Sequence, residues 1–471
     1  MLGALLRRWF GTGAAPGPAL SAVPAPDANA AFAAGLAAFH AGQYAAAVAR
    51  FRIVHGARPA DLVGIYHLAS ALAAAGDLNA AAPLAARVFE AEPGNPDHAA
   101  CLRFITVNIG LQGAPGEDPF WAAIARGNRL LDGGHFDAAL AEYRSAQEEA
   151  PASAVGFDRI GVALCNLERF TAADESLRAA ARLGWPLHHM VDLRASRLEA
   201  CVTGQGWRDY QAALAPRAQR GAAGATLLLG CDGAYFKSFV PALVNSLTRN
   251  AGLALRLHIH LLDADASCDA LRAQLPARGD IEIEISIGPD DYSAANRRLA
   301  YACTRFLLVP ALLARDGLPV LVLDADLLVL RPLAPLFETL APADFAIPLG
   351  GAGHREPAEM LWASLVWFAP TPAGQALARL AANYIADTIA AGRAEWFIDQ
   401  IALLAAYVHG RADAATRVAL LPTALLDSSE APGAAADAAD PLHACFWALA
   451  NSVAHHAERT RHPLYRAYSG A

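Results

Sequence analysis

Lysine is nearly missing from this 471-residue chain: Lys237 stands alone, and arginine supplies the remaining basic charge. Wherever an anion has to be held, the planar guanidinium is therefore the cation at hand. A basic excess is missing too. The formal net charge is -8 and the isoelectric point about 6.0, which argues against the electropositive face of a nucleic-acid-binding protein. Paired cysteines are also absent. The seven that occur (Cys101, Cys165, Cys201, Cys231, Cys268, Cys303 and Cys445) are scattered, odd in number and never spaced CxxC. That pattern argues against a disulfide framework or a zinc ribbon and fits reduced thiols. No long apolar run occurs. The longest uncharged stretch, Ala28 to Ala49, is mostly alanine and carries too little Leu, Ile or Val to span a bilayer. Arg7 and Arg8 follow, rather than precede, a short apolar stretch, and residues 11–26 are rich in Gly and Pro. A secretion signal has the opposite order. Residues 1–27 read as a flexible tail on a cytoplasmic protein, with Met1 to Phe10 as a weak interfacial anchor for peripheral membrane contact.

What is present starts with apolar content. Hydrophobic residues make up 55% and charged residues 17%, so a chain of this length folds around a sizeable core in two or three domains. Self-similarity organises the first half. Ala41-Gly42-Gln43-Tyr44, Ala47, Phe51 and Pro59 return as Ala75-Gly76-Asp77-Leu78, Ala81, Ala85 and Pro93, with a period of 34 residues. A third copy has Gly134, Phe136, Ala139, Tyr143 and Pro151, and a fourth has Phe170, Ala173 and Leu177. Gly35, Gly127 and Gly161 occupy the matching earlier position. Small residues let paired helices approach, large ones fill the gap between repeats, and Pro closes the second helix. The pattern resembles the tetratricopeptide repeat, which implies a superhelix that binds a protein partner or only supports a neighbouring domain. Residues 94–120 break the register and predict an extra helix followed by a loop at Gly113 to Pro119. Residues 191–224 read as a helical connection across the domain boundary.

From Ala225 the pattern alternates between strand and helix. Thr226 to Gly230, Leu255 to Leu262, Ile281 to Ile285 and Pro319 to Leu323 read as strands. Tyr235 to Arg249, Ala266 to Gln274 and Leu299 to Arg315 read as the helices between them, which predicts an α/β sandwich on a mostly parallel sheet. His258 and His260 share one strand face and read as structural. Asp324-Ala325-Asp326 follows the most apolar strand directly. Carboxylates at i and i+2 share a face of a regular strand, so both can reach one hard cation, Mn²⁺ or Mg²⁺, that bridges substrate phosphates.

Tyr301, Arg305-Phe306, Pro310 and Leu312-Leu313, followed by Val322 to Asp326, Val329 and Pro332-Leu333, resemble the nucleotide-sugar-binding core of GT-A glycosyltransferases, most closely the family-8-like retaining group. Cys231 to Phe236 is similar to that family's first-strand loop, and Trp396-Phe397-Ile398-Asp399-Gln400 to its Asp-Gln pair. The implied fold class is an all-α tetratricopeptide-repeat superhelix over residues 28–215 followed by an α/β GT-A (nucleotide-diphospho-sugar transferase) domain over 222–471. The resemblance implies a metal held by Asp324, Asp326 and His456, or His455. Asp232, Tyr235, Arg305, Asp324 and Arg461 (or Arg459) would bind the donor. Asp399 would hold sugar hydroxyls, and Gln400 would lie near the anomeric carbon. UDP-sugar as donor and a retaining outcome come from the family alone, and the acceptor is unspecified. Two departures stand out: Trp362-Ala363-Ser364 where the family has Asn-x-Gly, and no Gly or Lys after the C-terminal histidines. Tyr235 also reads as a core ring, Asp399 as a helix cap and Arg305 as a partner of the DxD acids themselves. The alternative function is a non-catalytic repeat scaffold with a degenerate transferase domain. A haloacid-dehalogenase-type phosphatase fits poorly, because Leu328 stands where that group expects Thr.

Overall fold

The computed structural model describes residues 27–111, 113–186, 188–214, 223–273, 275, 280–288, 297–350, 353–427, 440, 442–448 and 461–469. The chain divides into two compact units: Met1–Val191 with Ala352–Arg355, and Asp192–Gly351 with Glu356–Ala471. A helical repeat array followed by an α/β domain is the fold class that the sequence implies.

The first unit is built of helix pairs. Helix α1 (Ala28–His40) pairs with α2 (Tyr44–Ala57), and α3 (Leu62–Ala74) with α4 (Leu78–Ala91). The single helix α5 (Pro96–Asn108) follows, then α6 (Pro119–Asp132) with α7 (Phe136–Glu149), and α8 (Ala154–Asn166) with α9 (Phe170–Arg182). Side chains of Asp27, Asp61, Asp77, Asn95, Asp118 and Ser153 accept first-turn N–H groups, which fixes where six of these helices begin. The period follows from size matching within each pair. A Cβ on Gly35 would lie 2.7 Å from the Phe51 ring, one on Gly127 2.3 Å from Tyr143, and one on Gly161 2.6 Å from Leu177. Gly42, Gly76 and Gly134 turn the chain with φ of 73°, 89° and 77°. The fourth copy has Glu168 in that place at φ 55°, where an L side chain is strained. Helix α5 is the expected extra helix. Asn128 repairs its irregular exit by donating to the carbonyls of Thr106 (2.7 Å) and Ile109 (2.9 Å) while accepting from the Tyr143 hydroxyl (2.8 Å).

The second unit opens with α10 (Ala195–Thr203) and a 3-10 turn, Gly206–Ala213. Its sheet strands are β1 (Ala225–Asp232), β2 (Leu255–Leu262), β3 (Ile281–Ile287) and β4 (Val320–Leu323). Helices α11 (Gly233–Asn250), α12 (Ala266–Arg272) and α13 (Arg297–Asp316) connect them in turn. Then come β5 (Leu328–Val329), α14 (Ala334–Leu340), β6 (Phe345–Pro348), β7 (Leu365–Phe368), α15 (Pro372–Ala390) and α16 (Ile398–Ala412). Strands β8 (Val418–Leu421), β9 (Leu426–Asp427) and β10 (Phe446–Trp447) and helix α17 (Pro463–Ser469) complete it. The helical domain expected from the repeats covers residues 28–215, and the compact units divide after Val191. The cause is α10: Arg197 pairs with Asp387 at 2.8 Å, and Asn383 donates to the Cys201 carbonyl at 2.7 Å, both partners lying on α15.

The main sheet runs β3-β2-β1-β4-β7-β6-β8, with β7 antiparallel to both neighbours and the other pairings parallel. Strand β4 is fully buried, as its unbroken Val-Leu-Val-Leu run requires. The predicted alternation of β3 is blurred: its middle four residues are all half-buried. His258 and His260 are buried on β2 and share the Ser286 hydroxyl at 2.8 and 2.9 Å, so both are structural. Burial pushes His260 down to about 4, and neighbouring His258 adds to the shift. All seven cysteines are free and buried. No described helix is long and apolar enough to cross a membrane.

Candidate active site

The sheet order reverses beside β1. Strands β2 and β3 lie to one side, and β4 pairs on the other in parallel register, Thr226 with Val320 and Leu228 with Val322. Such a switch point opens a crevice beyond the C-terminal strand ends, where α/β sheets bind ligands. Asp232 ends β1 and Asp324 immediately follows β4, so two of the acids named above come from the two sides of this crevice.

Strand β4 stops at Leu323, which corrects the sequence argument for the acid pair. The last rung is Asp324 N–H donating to the Ser364 carbonyl at 3.3 Å, after which the chain turns through Ala325 and Asp326 towards β5. The two carboxylates are thus presented by a turn, both half-buried, and not by the alternation of a regular strand. The turn is tied from its far side: the Tyr465 hydroxyl donates to the Asp326 carbonyl at 3.3 Å. Tyr465 is buried on α17, with its ring 5.5 Å from Phe239 and 5.8 Å from Trp447.

Arg305 reaches the turn from α13. Gly230 of β1 makes room, since a Cβ there would sit 3.3 Å from the Arg305 Cβ. The guanidinium Nη1 donates to the Leu323 carbonyl at 2.9 Å and to Asp324 Oδ1 in a short charge-assisted bond. Arg305 is thus a direct partner of Asp324. Its Nε is buried and has no hydrogen-bond partner among the described residues. Burial works against the Arg305 charge, but Asp324 and Asp399 together hold its pKa above the ordinary value.

Asp399 is the second residue of α16 and 6% exposed. It is not the helix cap. Phe397 takes that position in a left-handed conformation, φ 80°, which a bulky side chain adopts only under constraint. Asp399 Oδ1 accepts from the Gln400 N–H at 2.9 Å. Burial pushes its carboxyl up to about 6; Arg305 and the Gln400 N–H pull the other way, and the charge of Asp324 adds to the rise. Arg305 therefore interacts with a half-buried carboxylate, Asp324, and a buried one, Asp399. Gln400 is half-buried beside Asp399.

Asp232 caps α11, accepting from the Tyr235 N–H at 2.7 Å. The Tyr235 ring packs 4.9 Å from Phe239 and is 36% exposed. Arg461 is exposed in the turn entering α17. His455, His456 and Arg459 lie outside the described residues. Among the described residues no group of three or more His, Cys, Asp or Glu could hold a metal ion. The two turn carboxylates nevertheless suit a hard cation, because Mg²⁺ commonly takes one or two protein carboxylates and fills its shell with water and phosphate oxygens. Ser364 and Tyr465, which support the turn, and Phe397, the strained entry to α16, carry no motif in the sequence. Nothing local in the sequence marks a Phe for positive φ.

No protein-family model matches the chain, and no curated protein does. Solved structures similar to it include the WbbM bifunctional glycosyltransferase in its apo form, at 14% identity and TM-score 0.35, covering 50% of this chain and 47% of that one. A thermophilic TPR protein of Thermus thermophilus matches at 21% identity and TM-score 0.19, over 33% of this chain and 74% of its own. The glycosyltransferase GlyE of Streptococcus pneumoniae matches at 20% identity and TM-score 0.28, over 42% of this chain and 45% of its own. The chain thus spans about half the length of both glycosyltransferases.

Proposed function

We propose that the second unit is a metal-dependent glycosyltransferase that moves a sugar from a nucleotide-diphosphate donor, a UDP-sugar in a retaining reaction, to an acceptor. The repeat array binds a partner or the acceptor. The supporting observation is the acid turn at the switch point, Asp324 to Asp326, with Arg305 bonded to Asp324 and buried Asp399 beside it. A divalent cation, if held there, would supply positive charge for a diphosphate leaving group. Asp324 and Asp326 would hold that cation, with His456 as the expected third ligand. Arg305 keeps Asp324 oriented and supplies a fixed positive charge beside the phosphate site. Asp232 and Tyr235, at the β1 end of the crevice, take the nucleoside, with the exposed Tyr235 ring stacking on the base. Arg461 binds phosphate from the C-terminal segment. Asp399 accepts from donor-sugar hydroxyls and Gln400 borders the anomeric carbon. No second carboxylate is required as a base in this scheme; the departing phosphate takes the acceptor proton on the face it leaves.

Calorimetric titration of nucleotide-sugars with and without Mn²⁺, repeated on Asp326→Asn, tests this. Wild type should bind one UDP-sugar only with the metal, and the variant should lose that binding. Equal binding by the variant, or none by wild type, would overturn the proposal. Ser364 in place of the family's Asn-x-Gly favours a second reading, a scaffold with a degenerate site, for which the expected result is nucleotide binding without turnover.

A further inference from the structure

The helical unit contains three described residues that are remote in sequence from its helices: Gly353, His354 and Arg355. His354 and Arg355 are held by hydrogen bonds, and Gly353 is closely packed. Asn166, the last residue of α8, forms a two-way amide pair with the main chain of His354. Its Nδ2 donates to the His354 carbonyl at 2.9 Å, and its Oδ1 accepts the His354 N–H at 3.1 Å. A primary amide used in this way satisfies one donor and one acceptor of the main chain at once. The next carbonyl, of Arg355, accepts from Arg159 Nη2 at 3.0 Å. That guanidinium is 1% exposed and is braced by Asp158 at 2.6 Å, which also bonds His188 at 2.5 Å. The Arg355 side chain in turn donates to Asp132 at 2.7 Å. Gly353 has φ 78°, and a Cβ on it would fall 2.4 Å from the Leu131 carbonyl oxygen, so only glycine fits.

We propose that these groups form a peptide-binding site of the repeat array, selective for a Gly-X-Arg segment with a left-handed glycine, and that residues 353–355 are its internal occupant. The inference deepens the partner-binding reading of the repeats and rests on it. A buried, pre-braced Arg159 and a bidentate Asn166 are directed at main-chain groups, which any segment of the right trace supplies. Gly353 and the Arg355–Asp132 pair add the sequence selectivity. A tethered occupant acts at millimolar effective concentration, so a micromolar free peptide competes poorly with it.

The test is fluorescence anisotropy of the full chain with a labelled synthetic peptide, Gly-Gly-Ala-Gly-His-Arg-Glu-Pro-Ala, the chain's own residues 350–358. Gly353→Val in the protein evicts the occupant, and affinity for the peptide should rise at least about tenfold over wild type. Arg355→Ala is a second, milder opening variant should the first fail to fold. Adding Asn166→Ala to either should abolish the gain, and so should replacing the peptide's Arg by Ala. An opened chain that binds no tighter than wild type overturns the site. So does binding that survives Asn166→Ala, although that outcome leaves partner binding elsewhere on the repeats standing.

Discussion

Replacing Asp399 by Asn should make the protein more stable and less active, and the stability gain should depend on pH. The folded carboxyl titrates at about 6 against an ordinary 3.8 because it is buried. The native state therefore holds this proton more tightly than the unfolded chain does. Its contribution is most favourable below the unfolded value and is lost as pH rises through the folded one. At about 1.4 kcal/mol per pH unit, keeping Asp399 ionised at neutral pH costs about 3 kcal/mol. The Asn side chain resembles the neutral acid and avoids that cost. Scanning calorimetry at pH 7.5 should place the variant's second-unit transition roughly 6–10 °C above wild type. The gap should close towards pH 4. A variant less stable than wild type at pH 7.5, or a gap that ignores pH, would refute the assignment of a buried charge. Sugar transfer by the same variant should fall about a hundredfold, as when one preorganised polar contact to the reacting group is lost.

Arg305→Met leaves Asp399 buried without its partner, and urea unfolding should show a loss of about 3–5 kcal/mol. Exposed Arg461→Met should stay within about 0.5 kcal/mol. In the repeats, Glu168→Gly relieves a left-handed side chain and should stabilise the helical unit by about 0.5–1 kcal/mol, read from its melting midpoint. Gly127→Ala drives a methyl into the Tyr143 ring and should cost about 1–3 kcal/mol. Gly56→Ala, where no atom lies within 4 Å, serves as the control and should be neutral or slightly stabilising.

Much of the fold was readable because its causes are local. The pairs of a glycine with a large side chain that set the repeat register lie within single helical hairpins. The apolar run Val320 to Leu323 announces a buried strand, and the acids after it announce its end. Arg305 was identifiable because it lies one element upstream of those acids. What stayed hidden depends on distant chain. The turn that carries Asp324 and Asp326 needs Ser364 and Tyr465 to shape it. The end of the helical unit is decided by Arg197 and Asn383 meeting partners far along the sequence. Phe397 adopts positive φ without any propensity to do so, and the docking of residues 353–355 uses main-chain groups that no motif records.

The sealed cysteines have a practical consequence. Burial lifts the Cys101 thiol to about 11 and the Cys165 thiol to about 12, so an alkylating reagent finds almost no thiolate in the intact array. Both sit in the first unit, while Cys231, Cys303 and Cys445 sit in the second. The chain thus carries native stopwatches for its two halves: the order in which these sulfurs acquire label under mild denaturant reports which half breathes open first, with no engineered probe.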